Sequence, residues 1–115
     1  NITNSGFMKY LSSEISHLIA NRFKVLAEPI RLEILHFLGS DERTVNEIAQ
    51  SIGATQPNVS KHLKLMQEAG ILGRRQEKNK VYYSVADTNI FSICDTVCNL
   101  VKEQVENQMK ILTIV

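Results

Sequence analysis

The segment TVNEIAQSIGATQPNVSKHLKLMQEAGIL, residues 44–72, determines which fold the chain adopts. It begins with Thr44 and has Glu47 three positions later, a pair typical of a capping box at the start of a helix. The apolar residues that follow and a closing Gly53 predict a short helix. A second helix is expected directly after it, with Thr55 as its cap. The segment therefore predicts two helices joined by a tight glycine turn.

The second helix of this segment has an apolar and a polar face. Pro57 suits its first turn, and Gly70 is placed to end it. Its apolar side chains are expected to point inward, and they are Val59, Leu63, Leu65 and Met66. Its polar side chains are expected to point outward, and they are Gln56, Asn58, Ser60, Lys61 and Lys64. The pair of helices is therefore predicted to be a helix-turn-helix with a polar outer surface.

The chain before this segment predicts two further helices. Apolar residues recur from Phe7 to Leu26 at the spacing of an amphipathic helix. Glu28-Pro29 breaks that pattern, because proline disfavours a helical conformation at the residue before it. Proline suits the first turn of a new helix, which Gly39 is placed to end. The first half of the chain is thus predicted to be helical.

The chain after this segment predicts a β-hairpin and a long last helix. Ile71-Leu72 and residues 81–85 have the composition of strands, and the polar stretch 74–80 separates them. From about Thr88 an apolar stripe at helical spacing continues toward the C-terminus. The predicted fold class is therefore mainly α with a small β-hairpin, a winged helix-turn-helix with long terminal helices.

Length and composition favour a single globular domain over residues 1–115. The apolar fraction is 43% and the charged fraction 22%, and no apolar run approaches the ~20 residues that cross a bilayer. Two cysteines are too few for a disulfide framework, so we expect a cytoplasmic protein without a membrane partner. The net charge is only +1, but residues 55–83 hold six basic and two acidic side chains. Positive charge is thus concentrated around the helix-turn-helix and the hairpin.

Three segments together resemble the ArsR family of bacterial winged-helix repressors. They are LAEPIRLEILHFL at residues 26–38, the segment 44–72, and RRQEKNKVYYSVAD at residues 74–87. The resemblance implies a homodimeric transcriptional repressor that occupies double-stranded operator DNA until an inducer weakens the complex. It also implies that the terminal helices, about residues 7–26 and 88–114, form the dimer interface. Residues 44–70 would then be the helix-turn-helix and 71–86 the wing.

The second helix of the helix-turn-helix is the predicted DNA-reading element. Short polar side chains on such a helix can reach base edges in the major groove. The candidates are Thr55, Gln56, Asn58, Ser60, Lys61 and His62. Longer cations favour contacts with phosphate, which position the protein and make binding depend on salt. These candidates are Lys64, Arg74, Arg75, Lys78 and Lys80.

The sequence lacks two metal sites that some members of the family use. Residues 43–47, which match the thiol site of metal-sensing members, contain no cysteine. The site on the last helix would need two histidines, and this chain has Asn89 and Leu100 there, leaving the carboxylates Asp87 and Glu103. Because zinc prefers imidazole and thiolate ligands, we predict no zinc at that position. Asp87 is expected to cap the last helix instead.

Cys94 and Cys98 are the candidate sensing residues. Four positions apart, they lie on one helical face, where two thiols can bind arsenite or a thiophilic metal, or react with an oxidant or reactive sulfur species. Both also lie on the apolar stripe, where free cysteine often serves as a small hydrophobic residue. A sensing role and a packing role both stay open, and the identity of the inducer is not predicted.

An enzyme and a protein-binding module are the two alternative classes of function. The chain has no glycine-rich phosphate loop, nucleophile elbow or His-Glu-x-x-His helix, so no catalytic residues and no enzymatic activity are predicted. A winged-helix module that binds protein instead of DNA is the alternative binding function. The polar helix face and the basic hairpin favour DNA.

Overall fold

The computed structural model describes residue 9 and residues 11–114. Within that part of the chain, helices and strands follow one another in a winged helix-turn-helix order. They are α1 (Ser13–Leu26), α2 (Pro29–Leu38), β1 (Arg43–Thr44), α3 (Val45–Ile52), α4 (Gln56–Glu68), β2 (Leu72–Glu77), β3 (Lys80–Val85) and α5 (Asn89–Ile114). The predicted fold class is confirmed.

The predicted first helix is interrupted at Leu11 and Ser12, since Lys9 is helical and α1 begins at Ser13. Ser12 has an extended backbone, and its Oγ accepts a hydrogen bond of 3.2 Å from the backbone N–H of Ile15. This contact satisfies one of the amides that a helix start leaves unpaired, so the helix begins at Ser13. Phe7, where the sequence pattern starts, lies outside the described residues.

The helix-turn-helix has the predicted caps. Thr44 Oγ1 accepts from the Glu47 N–H at 3.2 Å, and the Thr44 N–H donates to Glu47 Oε1 at 3.0 Å, which completes the capping box. Gly53 ends α3 with φ at 77°, a left-handed conformation that glycine adopts without strain. Thr55 Oγ1 accepts from the Asn58 N–H at 3.3 Å and caps α4. These local contacts fix the turn between α3 and α4.

The wing is a three-stranded sheet in the order β1-β3-β2. The stretch 74–80 was expected to separate two strands, but residues 74–77 continue β2 and only Lys78 and Asn79 form the turn. Exposure explains the error, because a hairpin that projects into solvent lacks the apolar alternation by which strands are predicted. Strand β1 was not predicted, and it pairs Arg43 with Tyr83 in β3. The sheet joins the wing to the start of α3.

One apolar core lies between the helices and the base of the wing. Its fully buried side chains come from α2, α3, α4 and the residue before β2, and they are Ile34, Leu38, Ile48, Val59, Leu63, Met66 and Ile71. Three of these belong to α4, so the inner face of that helix is completely covered. Leu65 was also expected to point inward, and it is half-buried. Burial of one face of α4 leaves its opposite face to solvent.

Helix α5 is long and only its first part contacts the core. Ile90 is buried, whereas Val97, Val101, Val105 and other apolar residues of α5 are exposed in the single chain. Leu18 and Phe23 of α1 are exposed as well, at 72% and 55%. Among the described residues, no helix has the length and apolar character needed to cross a bilayer.

Candidate nucleic-acid interface

The outer face of α4 presents polar and basic side chains. Ser60, Lys61 and Lys64 are exposed, and Lys64 lies one turn after the other two on the side opposite Val59 and Leu63. The candidates at the start of the helix, Thr55, Gln56 and Asn58, are exposed too. The structure therefore brings the predicted base-reading residues onto one accessible helix, with His62 as the exception described below.

Two of these candidates already have partners within the chain. The Thr55 hydroxyl caps α4, and Gln56 Nε2 donates to Asn46 Oδ1 of α3 at 2.9 Å. The side chains of Asn58, Ser60 and Lys61 make no hydrogen bond to another described residue. These three side chains are free to donate or accept further hydrogen bonds.

A cleft of about 410 Å³ connects the start of α4 with the tip of the wing. Gln56 lies on one side of this cleft, and Asn79, Lys80 and Tyr82 lie on the other. Within the described part of the chain, no carboxylate lies within ion-pair distance of Lys78 or Lys80. The wing tip thus offers uncompensated positive charge beside the polar helix.

Arg75 is held by two carboxylates. Its Nε and Nη2 donate to the two carboxylate oxygens of Glu42 at 2.9 Å each, and its Nη1 donates to Glu77 Oε2 at 2.8 Å. The guanidinium also stacks on Tyr82, 4.7 Å from the ring centre. Hydrogen bonds from Arg75 lower the pKa of Glu42, and those to Glu42 and Glu77 raise the pKa of Arg75. This predicted phosphate contact is therefore occupied by protein groups.

Arg74 lies on the opposite face of β2 from Arg75, because neighbouring residues of a strand point to opposite sides. It is exposed, and no carboxylate of the described chain pairs with it. Of the two adjacent arginines, only Arg74 keeps a cation that is free to bind phosphate.

His62 contacts α2 and is half-buried. Arg31 Nε donates to His62 Nδ1 at 3.0 Å, so this ring nitrogen acts as an acceptor and the imidazole is neutral. Burial and the positive charges of Arg31 and Lys61 lower the pKa of His62, which the charge of Glu28 partly opposes. Neither Arg31 nor Glu42 was singled out in the sequence. Their partners lie more than thirty residues away, and no local pattern reports such a contact.

The two cysteines line an apolar cavity of about 590 Å³ between α1, α2 and α5. Phe23, Leu35 and Val101 contribute to its walls. Both thiols are free; Cys94 is half-buried and Cys98 is exposed. Burial and the neighbouring Asp95 raise the pKa of Cys94, which favours the neutral thiol. The structure therefore places both candidate sensing residues at one cavity.

The residues at the position of the family's second metal site do not line that cavity. Asp87 Oδ1 accepts from the Asn89 N–H at 3.0 Å, as predicted for a helix cap. Leu100 and Glu103 are exposed. The described residues contain no group of three or more histidine, cysteine or carboxylate side chains arranged to hold a metal ion.

The polar helix, its buried inner face and the basic wing define a winged helix-turn-helix domain of the kind found in DNA-binding regulators. Residues 28–73 match the family described as "Bacterial regulatory protein, arsR family". The chain belongs to the ArsR family.

Three relatives illustrate the membership. A probable mercury resistance operon repressor of Streptomyces lividans is 38% identical over 62% of this chain, and the match spans 57% of that protein. The HTH-type transcriptional regulator Rv0081 of Mycobacterium tuberculosis is 35% identical over 69% of this chain and 70% of its own length. Superposition on the crystal structure of Rv0081 covers 85% of this chain and 99% of the Rv0081 chain, with a TM-score of 0.77.

The third relative is known from a solution structure. It is the homodimeric winged helix-turn-helix DNA-binding domain of a possible ArsR-family transcriptional regulator from Mycobacterium bovis, 27% identical. The comparison covers 85% of this chain and 94% of that one, with a TM-score of 0.73. The first two relatives are named as transcriptional regulators, and the third is described as a winged helix-turn-helix domain.

The contrast between the two wing arginines gives the first prediction. Arg74→Gln removes a free cation, so the slope of log K against log salt for any duplex should become less negative by about 0.9, the value of one phosphate contact. The matched control is Arg75→Gln with Glu42→Gln, which preserves net charge and should leave the slope unchanged. Salt titrations by fluorescence anisotropy measure both. An equal change in both proteins would contradict the assignment.

Proposed function

We propose that the chain is a homodimeric transcriptional repressor that binds double-stranded operator DNA through α4 and the wing, and acts in the cytoplasm without catalytic activity. The observation that carries the proposal is the exposed polar face of α4, which the fully buried Val59, Leu63 and Met66 hold outward. A helix fixed in this way can enter a major groove as a rigid body. The chain's regulatory relatives support the same function.

In the proposed complex the residues have different roles. Asn58, Ser60 and Lys61 contact base edges, with Gln56 and Thr55 beside them at the start of the helix. The cations that contact phosphate are Lys64, Arg74, Lys78 and Lys80. Arg75 serves mainly to tie the wing to Glu42, and His62 serves mainly to hold α4 against α2.

The proposed dimer pairs α1 and α5 with the same helices of a second copy. Apolar side chains are exposed along both helices, including Leu18 and Phe23 in α1 and Val97, Val101 and Met109 in α5. Covering them removes apolar surface from water, the main source of free energy in such associations. The M. bovis relative is described as homodimeric, which supports the same arrangement.

We further propose that the inducer acts at Cys94 and Cys98. Both thiols open into one apolar cavity that reaches α1 and α2, so a ligand bound there would contact the helices of the proposed dimer interface. Two thiols suit arsenite or a thiophilic metal such as mercury, and the S. lividans relative is named for mercury resistance. An oxidant or a reactive sulfur species could react with the same pair. The half-buried, neutral Cys94 favours the competing view, in which the cysteines only pack.

Direct base readout by α4 gives the second prediction. Asn58→Ala should weaken binding to a selected operator by about tenfold, as one good base contact is worth roughly 1–3 kcal/mol, and leave random DNA unaffected. The matched variant Lys64→Ala should weaken binding to both duplexes alike. Anisotropy titrations with an operator selected from a randomised library measure the ratio. Equal losses on both duplexes for Asn58→Ala would count against base readout there, and absence of any DNA binding at low salt would favour a protein-binding module.

The thiol proposal gives the third prediction. Cys94→Ser with Cys98→Ser should bind operator like the wild type but lose its release by arsenite or mercuric ion. Because thiols must lose their protons to bind a metal, and the pKa of Cys94 is raised, release of the wild type should need less metal as the pH rises. Titrations of the protein–DNA complex at several pH values measure this. Unchanged release of the double variant would show that the cysteines have only a packing role.

A further inference from the structure

Arg31 bridges three helices at the back of the recognition helix. From α2, its Nη1 donates to the backbone oxygen of Val25 in the last turn of α1 at 2.9 Å. Its Nε donates to His62 Nδ1 of α4 at 3.0 Å. Arg31 and His62 are both half-buried, and so are the two hydrogen bonds. One guanidinium thus connects the end of α1 with α4.

In both hydrogen bonds Arg31 is the donor, and the geometry of its guanidinium fixes where the two acceptors must lie. The planar guanidinium donates from fixed positions, which lysine cannot reproduce with a single ammonium group. His62 must be neutral to accept at Nδ1, and the charges of Arg31 and Lys61 favour that form. A change in the position of Val25 or of His62 therefore breaks one of the two hydrogen bonds or moves Arg31.

We propose that Arg31 is a positioning residue that sets the orientation of α4 relative to α1, and so determines how well the helix discriminates operator from other DNA. The inference rests on the proposed DNA-binding function. Helix α1 belongs to the proposed dimer interface, whereas α4 carries the base-reading side chains. Through the hydrogen bonds of Arg31 to Val25 and His62, a shift of α1 in the proposed dimer changes the orientation of α4 and of its base-reading side chains.

Arg31 is expected to affect the orientation of α4 more than the stability of the fold. The buried inner face of α4 keeps the helix folded on the core without Arg31. Loss of the bridge should therefore leave binding to random duplexes nearly unchanged, because phosphate contacts tolerate small rotations. Base contacts need donor–acceptor distances of about 2.7–3.2 Å, so the same rotation should reduce operator binding.

The test compares Arg31→Lys and His62→Leu, which remove the bridge, with His62→Asn, whose amide oxygen can still accept a hydrogen bond. The control is Arg43→Lys, a half-buried arginine whose ion pairs go to Asp41 and Glu47 and whose guanidinium lies over Phe37 of α2, with no hydrogen bond to α4. The readout is the ratio of affinities for the selected operator and a random duplex of equal length, with thermal unfolding measured in parallel.

We expect Arg31→Lys and His62→Leu each to lower the ratio by about tenfold, the size expected for loss of one good base contact. The double variant should lose no more than either single variant, and His62→Asn and Arg43→Lys should keep the wild-type ratio. A ratio within twofold of wild type for both disrupting variants would overturn the inference. So would equal losses on both duplexes that follow the loss of thermal stability. If the wild type itself binds no duplex, the proposed function fails.

Discussion

The described part of the chain leaves the apolar stripe of α5 half-exposed, and the proposed function depends on this constraint. Val97, Val101 and Val105 are 51%, 52% and 51% exposed, although each lies one turn from the next. Full burial of such a side chain contributes roughly 1.5–3 kcal/mol, so covering the stripe would stabilise an assembly substantially. A second copy offers the same stripe, and two stripes related by a two-fold axis cover each other. In the proposed dimer, the symmetry of that pair sets the spacing of the two α4 helices.

The structure also shows which helices connect the two cysteines with α4. Helix α4 packs its whole inner face on the core and is bonded to α2 and, through Arg31, to the end of α1. Cys94 and Cys98 open into a cavity bordered by the same α1 and α2. A ligand in the cavity, the proposed subunit contact and the base-reading helix therefore share two helices. Movement of those helices is the simplest physical route for induction.

Local chemistry made most of the fold predictable. The caps at Thr44 and Thr55 and the left-handed Gly53 depend on residues within a few positions, and the structure confirms each of them. The buried positions of α4 follow from helical spacing alone. Strand β1 was not predicted because two residues are too few to show the alternation of a strand, and their partners lie far away in β3. The first helix is interrupted at Leu11 and Ser12 because the Ser12 side chain caps a new helix start at Ser13, which the continuous apolar pattern did not indicate.

The candidate site was predictable only in part. Residue type and position on the helix identified the polar face of α4, but they could not show which side chains are already occupied. Arg75 meets Glu42 and His62 meets Arg31 only after folding brings distant segments together. A charged residue in a sequence is therefore a candidate for binding, and its ion pairs decide whether the charge is available.

The most direct test of the account is the molar mass of the protein in solution, alone and bound to a selected operator duplex, by light scattering coupled to size-exclusion chromatography. The account predicts twice the 13.0 kDa mass of one chain for the free protein, and two chains on each duplex. A single-chain mass at every concentration, with one chain or none on the duplex, would contradict it.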